Sequence, residues 1–413
     1  MYDLPIYNFV VIWEWIEFAV RWTHVITAVA WIGSSFYFIA LDLGLHRDRN
    51  LASGADGEEW QVHGGGFYHI QKYLVAPAAM PDHLVWFKWE SYMTWVSGFT
   101  MLVLVYYLGA EFYLVDPAVM ELATWQAIAI SLASLAFGWI AYNTICKTFV
   151  NANQTVVMVA LFGVLVAMSY FYTSVFSGRA ALLHLGAFTA TIMSANVFFI
   201  IMPNQRVVVA DLKAGRKPDP KYGKIAKQRS THNNYLTLPV LFLMLSNHYP
   251  LAFATPYNWV IAALVFLMGV TIRHWFNTQH ARKGNPHWTW AVTVVLMLVI
   301  AWLSSFRAGT PAGAEGTAAL PPAALHFAQA PGFDAVTSIV QGRCSMCHAA
   351  EPGWEGLYWA PKGVLLETPE QIAHEARRIY VQAGLTHAMP PANVSYMEPE
   401  ERAAIRAWFE GAL

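Results

Sequence analysis

The sequence predicts an all-α protein, a polytopic membrane bundle of eight transmembrane helices followed by a small C-terminal domain. Only 12% of the 413 residues are charged, about half the share of a soluble domain, and 56% are hydrophobic. The apolar residues are concentrated before residue 307, in runs long enough to cross a lipid bilayer. A formal net charge of −1 argues against a nucleic-acid partner.

The apolar runs and the composition between them divide the chain into three parts. Residues 1–306 form a transmembrane domain, 307–331 an Ala/Pro/Gly-rich linker, and 332–413 a separate domain. The eight predicted spans are 17–43, 90–110, 121–147, 154–176, 180–202, 233–249, 257–279 and 287–306.

Lysine and arginine are distributed unequally between the predicted loops. Loops 44–89 and 203–232 and the turn after 279 carry most of them, whereas the opposite side has only Arg179 and Arg307. Basic loops remain in the cytoplasm, so an even number of spans places both termini in the periplasm.

Two cysteines and a histidine near the C-terminus, Cys344, Cys347 and His348, have the spacing C-x-x-C-H. This pattern attaches a c-type haem: each thiol forms a thioether to a vinyl group, and the histidine binds the iron. A disulfide and half of a zinc site are the alternatives, but the remaining cysteine, Cys146, lies far away in an apolar run. We therefore expect one covalent haem c, attached in the periplasm.

The second axial ligand of this haem should follow the motif along the chain. Met389 lies about 40 residues downstream, before two prolines that stiffen its loop. Methionine opposite histidine raises the reduction potential, which suits an electron acceptor. Met397 and His387 are the competing candidates. Helices are expected from about 333 into the motif, near 369–383 and near 399–411.

Ionisable side chains within a bilayer are costly and are therefore functional candidates. Glu14, Glu17, Arg21 and His24 share one face of the first helix, either as an interfacial stripe with an internal ion pair or, for His24, as a haem ligand. A single histidine is more often a core residue. Facing histidines on packed helices nevertheless hold cofactors in helical bundles.

Polar residues are also dense where the second, sixth and seventh spans meet the basic side. Cations neutralise a small planar anion and amides hydrogen-bond to its edges, although membrane anchors and helix caps have the same composition. The segment 63–83, with three glycines and two prolines, is too irregular for a span and is expected to be re-entrant. The candidates are Lys88, Glu90, His232, Asn233, Asn234, Asn247, Arg273, His274 and Asn277.

Three of these stretches, together with the C-terminal motif, resemble a known family. Trp86-Phe87-Lys88-Trp89-Glu90, His232-Asn233-Asn234-Tyr235 and Ser246-Asn247-His248-Tyr249 are similar to bacterial membrane-bound, cytochrome c-linked urate hydroxylases. The resemblance implies an enzyme of the bacterial inner membrane that oxidises urate to 5-hydroxyisourate in purine catabolism. Electrons would pass to the fused haem c, not directly to oxygen, and onward to a respiratory cytochrome or oxidase.

On this reading the membrane residues divide into roles. Lys88 or Arg273 would hold the urate charge, Asn233, Asn234 or Asn247 its edges, and Glu90 or His232 would be the general base. The first helix is also similar to that of membrane protoporphyrinogen oxidases over Arg21-Trp22-Thr23-His24 and Ala30-Trp31-Ile32-Gly33. That similarity implies a haem b, for which His24 with His184 or His248 is the candidate ligand set.

Two other functions fit the same composition. The bundle could anchor a cytochrome c that only shuttles electrons between complexes, or it could be a haem protein that oxidises a quinol. An anchor would not need Lys88, Glu90, Arg273 and His274 near the bilayer. A quinol enzyme would respond to quinone-site inhibitors and not to urate.

Overall fold

A computed structural model describes residues 9–47, 50–73, 77, 81–149, 153–306, 320–357 and 360–413. These residues are mostly helical. Before residue 307 the helices are α1 (Phe9–Gly44), α2 (Trp89–Leu102), α3 (Ala110–Tyr113), α4 (Thr124–Thr148), α5 (Gln154–Thr173), α6 (Gly178–Ala195), α7 (Met202–Lys213), α8 (Pro220–Leu245), α9 (Pro250–Phe253), α10 (Asn258–His280) and α11 (Trp288–Ser304). π-helical turns continue α2 over Val103–Tyr107 and join α6 to α7 over Asn196–Ile201, and a 3₁₀ turn over Ser246–His248 follows α8.

The C-terminal unit contains α12 (Pro322–Ala328), α13 (Phe333–Arg343), α14 (Pro369–His374), α15 (Ala376–Ile379) and α16 (Pro399–Ala412). Shorter helical turns lie at Pro361–Gly363, Tyr380–Leu385 and Pro391–Asn393. Helices are therefore present at all three positions predicted in this part of the chain. Of the predicted linker, 307–319 lies outside the described residues, and α12 packs onto α14 and α16.

Among the described residues, five helices are long and apolar enough to cross a membrane, which confirms the expected membrane location. They are α1, α4, α5, the continuous helix Gly178–Lys213 and α10, while α11 is apolar but shorter. α2 is 14 residues long before its π-helical turn, and α8 begins with a polar half. A helix lies at each of the eight predicted positions. Five of these helices are long and apolar enough to cross a membrane.

The helices pack around α6 and α8, and glycines of α6 and α10 allow them to approach α8 closely. A Cβ atom on Gly186 of α6 would lie 3.1 Å from Leu243 of α8. A Cβ atom on Gly269 of α10 would lie 2.4 Å from the Cδ atom of Pro239 of α8. Side chains larger than hydrogen would push these helices apart, so glycine permits the close packing of the apolar half of α8.

The segment that follows α1 contains two strands, β1 (Ala55–His63) and β2 (Gly66–Tyr73), paired as an antiparallel hairpin. The prediction of a re-entrant segment over 63–83 is therefore wrong for its first half. Gly64 and Gly65 both have positive φ, which is what a tight two-residue hairpin turn requires. The described residues are mostly helical with one hairpin, so the fold is not purely all-α.

The loops predicted to share the basic side meet at one end of the bundle. Lys227 at the start of α8 lies 2.5 Å from Asp42 at the end of α1, and Lys72 of β2 pairs with the same carboxylate. Arg282, after α10, is 2.8 Å from His46. We call this the basic end.

The C-terminal unit lies against the opposite end. Arg377 forms ion pairs with Glu14 at 2.9 Å and Glu17 at 3.6 Å, and the Arg378 guanidinium lies over the Tyr113 ring at 5.2 Å. Val10 of α1 packs into the apolar core of the C-terminal unit. We call this the docking end.

Candidate functional site

The middle of α8 lies between α6, the π-helical turn after it, and α10, and its Arg229 and residues 232–234 are buried. His232 and Asn233 are 2% and 5% exposed. Asn233 accepts a hydrogen bond from Asn196 at 2.9 Å and donates one to the Met193 carbonyl at 2.9 Å. Asn196 is fully buried in the π-helical turn. The sequence thus folds two asparagines from different helices into one network.

Arg229, one turn before Asn233, ends in the same network. It donates to Asn143 at 2.9 Å and to Asn196 at 3.4 Å, and its guanidinium lies 4.8 Å from the centre of the Tyr142 ring. The residue is 3% exposed, and its Nε atom has no hydrogen-bond partner. No carboxylate among the described residues pairs with it.

His232 is hydrogen-bonded at both ring nitrogens. Its Nδ1 atom lies 2.8 Å from the Tyr142 hydroxyl, and its Nε2 atom lies 3.2 Å from the Gln154 side-chain oxygen. Tyr142 is fully buried, whereas Gln154, at the start of α5, is exposed. The imidazole therefore connects the buried network to the basic end.

A second cluster lies on the neighbouring face of α8, against α10. Arg273 donates to Asn234 at 3.3 Å and to Asn277 at 3.0 Å, and Asn277 donates to Asn234 at 2.9 Å. The guanidinium stacks over Phe36 of α1 at 4.0 Å. Asn234 is fully buried and its Nδ2 group has no partner.

Both clusters share an unusual charge arrangement. Buried charges in proteins are normally paired with an opposite charge, because burial alone is very costly. Arg229 and Arg273 are held by amide oxygens instead, and among the described residues neither has a carboxylate partner. Each cluster combines a buried cation with a donor that has no hydrogen-bond partner, the Nε of Arg229 in one and the Nδ2 of Asn234 in the other, and such groups suit an anion.

The structure separates the predicted catalytic residues into three groups. His232, Asn233 and Arg273 belong to the two clusters. Lys88 and Glu90 lie at the start of α2, which packs mainly on α1 and α6. The Lys88 ammonium lies over the Trp89 ring at 5.5 Å, and one Glu90 carboxylate oxygen is buried without a partner.

Asn247 lies beyond the far end of α8, at the docking end. Fourteen residues of helix separate it from Asn233, a distance of about 20 Å. It does not share a site with the two clusters. His274 is exposed, with its ring 6.1 Å from that of Trp288.

The three histidines predicted as haem b ligands have different surroundings. The Nδ1 atom of His24 bonds the Thr94 carbonyl at 3.0 Å and Ser97 at 3.2 Å. The Nδ1 atom of His184 donates to the Ala180 carbonyl at 2.8 Å, and the Nε2 atom of His184 is buried without a partner. His248 is exposed at the docking end.

Tyr106, Tyr172 and Phe176 surround the His184 ring at centroid distances of 4.8–5.8 Å. None of the three candidate imidazoles contacts another. A histidine ligand characteristically bonds a carbonyl through one nitrogen and keeps the other free, so the bonding of His24 and His184 fits this role.

The C-x-x-C-H motif follows the end of α13. Cys344 and Cys347 are free thiols, and burial raises the pKa of Cys344 to about 12. The Nδ1 atom of His348 lies 2.9 Å from the Val364 carbonyl, which leaves Nε2 for a ligand role. Within the described part of the chain no three His, Cys, Asp or Glu side chains converge as a zinc site requires. These residues fit a covalent haem.

The three candidates for the second axial ligand differ in exposure. Met397 is 3% exposed in the apolar core, and His387 is exposed. Met389 is half-buried at the edge of the core, as Cys344 is, and Arg402 donates to its carbonyl at 2.9 Å. Met389 is thus fixed through its backbone at the edge of the core, where its side chain is only partly buried.

Sequence reasoning did not identify Arg229, Tyr142, Asn143 and Asn196 as site residues. Arg229 was grouped with the basic loop, where cations usually act as anchors. Tyr142, Asn143 and Asn196 could have been found because each places an amide or hydroxyl within an apolar span, which is costly unless that group has a hydrogen-bond partner.

These features define a helical membrane protein with a buried cationic site, joined to a small helical unit. The model of the family described as urate oxidase N-terminal matches residues 10–304, and the chain belongs to this family. Membership implies an enzyme that acts on urate. No curated protein and no solved structure matched the chain in the corresponding comparisons.

Proposed function

We propose that this protein oxidises urate to 5-hydroxyisourate and passes the electrons to a haem c in its C-terminal unit. The observation that carries the proposal is the pair of buried arginines, inside the region that matches the family, that have no carboxylate partner among the described residues. Urate is a planar anion with amide-like edges. A buried cation held in an array of amides has the complementary charge and hydrogen-bonding groups.

The Arg273 cluster is the better place for the urate anion. Asn234 there has a free donor, and Asn277 and Asn234 fix the guanidinium without neutralising it. The aromatic ring of Phe36 covers one side of the cation and excludes water. These contacts would orient the purine by its charge and its carbonyl edges.

The oxidation removes two electrons from urate, adds one water and releases two protons. A proton acceptor must therefore lie within reach of the reacting purine. His232, on the same helix as Asn234, and Glu90, with a buried partnerless oxygen, are the two candidates. His232 is the stronger candidate because its network connects to the exposed end of the bundle.

Substrate would arrive from the basic end, the side on which purines are broken down. A cavity of about 510 Å³ opens there between the segment before α2 and α7. Trp86, Arg206 and Lys213 contribute an aromatic surface and two cations to its lining. These groups would attract a planar anion from the cytoplasm.

When bound, the haem c supplies one-electron oxidation, with Cys344, Cys347, His348 and Met389 as the residues that would hold it. The C-terminal unit lies at the docking end, and Asn196 is seventeen residues of helix from Arg179 at that end, about 25 Å. This distance favours a relay within the bundle. His184, with its free Nε2 atom, lies between the two and would hold a haem b together with His24.

The proposal includes a topology of eight spans with both termini in the periplasm. The predicted basic loops meet at one end and the C-terminal unit at the other, which supports it. Attachment of haem c in the periplasm agrees with that orientation.

Exchanging the cation tests the site directly. Arg273→Gln keeps two hydrogen-bond donors and removes the charge, so urate affinity should fall roughly 10- to 100-fold. Arg21→Gln, which removes an exposed cation of α1, is the matched control and should bind urate normally. Affinity is measured by anaerobic calorimetry on dithionite-reduced protein. Equal affinity in both variants would remove urate from this cluster and favour an electron shuttle.

A further inference from the structure

We propose that Tyr142, His232 and Gln154 form a path that carries the protons of the reaction to the basic end of the bundle, a role that rests on the proposed function. Proton release accompanies urate oxidation, and the interior of a bundle has no bulk water to receive it. The three side chains come from α4, α8 and α5, and they join a fully buried hydroxyl to an exposed amide.

The direction of each hydrogen bond follows from Arg229. A guanidinium only donates, so the atom of Asn196 that faces it must be the amide oxygen, at 3.4 Å. The amide nitrogen of Asn196 then donates to the Tyr142 oxygen at 3.1 Å. The Tyr142 hydroxyl is left with its own proton to donate, and the Nδ1 atom of His232 is its acceptor at 2.8 Å.

The other side of the imidazole follows from the first. A neutral imidazole carries one hydrogen, so an Nδ1 atom that accepts from Tyr142 leaves that hydrogen on Nε2. The Gln154 side-chain oxygen accepts it at 3.2 Å. His232 is held as the Nε2–H tautomer, with its basic nitrogen turned inward and its proton turned toward the exposed end.

The charged and titratable groups around His232 are few. Arg229 lies one turn earlier on α8, Tyr142 faces Nδ1, and the Cys146 sulfur is 4.0 Å from Nδ1. No carboxylate among the described residues contacts the ring. A proton that reaches His232 is thus repelled by Arg229 and is not held by a counter-ion, which favours its onward release.

Because the Arg273 cluster lies on a neighbouring face of α8, the proton would reach Tyr142 from the purine through water. The Tyr142 O–H bond then breaks as the His232 Nδ1–H bond forms, and the Tyr142 oxygen takes the proton from that water. His232 then gives its Nε2 proton to water beside the exposed Gln154. The electrons leave separately to haem c, so charge balances. Gln154 is a positioning residue, because an amide oxygen is a poor proton acceptor. Its role is to hold His232 in the Nε2–H tautomer.

The test follows anaerobic haem c reduction by saturating urate in normal water and in deuterium oxide. Tyr142→Phe should slow reduction roughly 10- to 100-fold and enlarge the solvent isotope effect, with unchanged urate affinity for the reduced protein. Tyr107→Phe, which removes a hydroxyl bonded to Ser131 at 2.8 Å, is the control and should match the wild type.

Gln154 provides a second, exposed position that does not endanger folding. Gln154→Leu should lower the rate and alter its pH profile, because it removes the oxygen that accepts from Nε2. If Tyr142→Phe and Gln154→Leu reduce haem c as fast as Tyr107→Phe, or lose affinity instead of rate, the path is wrong. A wild-type protein that urate leaves oxidised would overturn the proposed function and this path together.

Discussion

Two helices of equal length show how differently one chain uses apolar sequence. α1 and the helix Gly178–Lys213 each have 36 residues and similar mean hydropathies over an 18-residue stretch, 1.6 and 1.8. Of that stretch, 6% is buried within the protein in α1 and 61% in the second helix, here called the central helix. α1 exposes large residues such as Trp22 and Val29 to the lipid. The central helix buries His184 and Asn196 completely.

The polar residues of the two helices differ accordingly. Glu14 and Glu17 of α1 pair with Arg377 and hold the C-terminal unit. In the central helix, His184 bonds its own helix and Asn196 bonds Asn233 of α8, so these polar groups complete internal contacts. Hydropathy identifies a span, but the position of a span in the bundle decides whether its polar groups bind a partner or build a site.

The largest expected effect is spectroscopic and separates the histidines of the two helices. His184→Ala should abolish any b-type absorption band, because it removes the buried ligand. His24→Ala should remove the same band if α1 supplies the second ligand. Visible spectra of dithionite-reduced membranes report both, and His274→Ala, an exposed position, is the control. A b-type band that survives in both variants would exclude this ligand set.

The next largest effect is expected on stability, from loss of the Asn196 side-chain amide. Asn196→Leu removes one hydrogen-bond partner each from the buried Arg229 and Asn233 and should lower stability by about 3 kcal/mol. Thr27→Ala on α1 removes a hydroxyl bonded to its own helix and should have little effect. Thermal unfolding in detergent measures the difference. An equally stable Asn196→Leu protein would show that the network contributes no net stability.

A smaller effect on stability is expected from replacing a glycine in each of the two helices. Gly186→Ala places a Cβ atom 3.1 Å from Leu243 and should cost about 2 kcal/mol, whereas Gly33→Ala on α1 meets nothing within 4 Å. The second variant should be neutral or slightly stabilising, since alanine favours helix. Similar melting temperatures for the two variants would contradict the assigned positions of the helices.

The smallest effect concerns docking. Glu14→Gln should weaken attachment of the C-terminal unit by less than about 1 kcal/mol, because partly exposed ion pairs contribute little. The loss should shrink further in high salt. Amide exchange around Arg377 would detect it, with Glu121→Gln as the control. A salt-independent effect would point to a packing role for Glu14.

Apolar run length was enough to predict the positions of the long helices, and the three helical positions predicted in the C-terminal unit are also helical, whereas α12 lies in the predicted linker. The hairpin was missed because its turn, Gly64 and Gly65, was treated as irregularity instead of as a two-residue connection. The partners of Arg229 could not be predicted, since Asn143 and Asn196 lie on other helices and only packing brings them together. For the same reason sequence grouped Asn247 with Asn233, which the fold separates.

The most direct test of the account is an anaerobic visible spectrum of the purified protein before and after addition of urate. We predict that urate reduces haem c in the absence of oxygen, and that the Arg273→Gln variant requires much more urate for the same reduction. If dithionite reduces the haem and urate does not, the C-terminal unit remains a cytochrome but the bundle is not a urate-oxidising site.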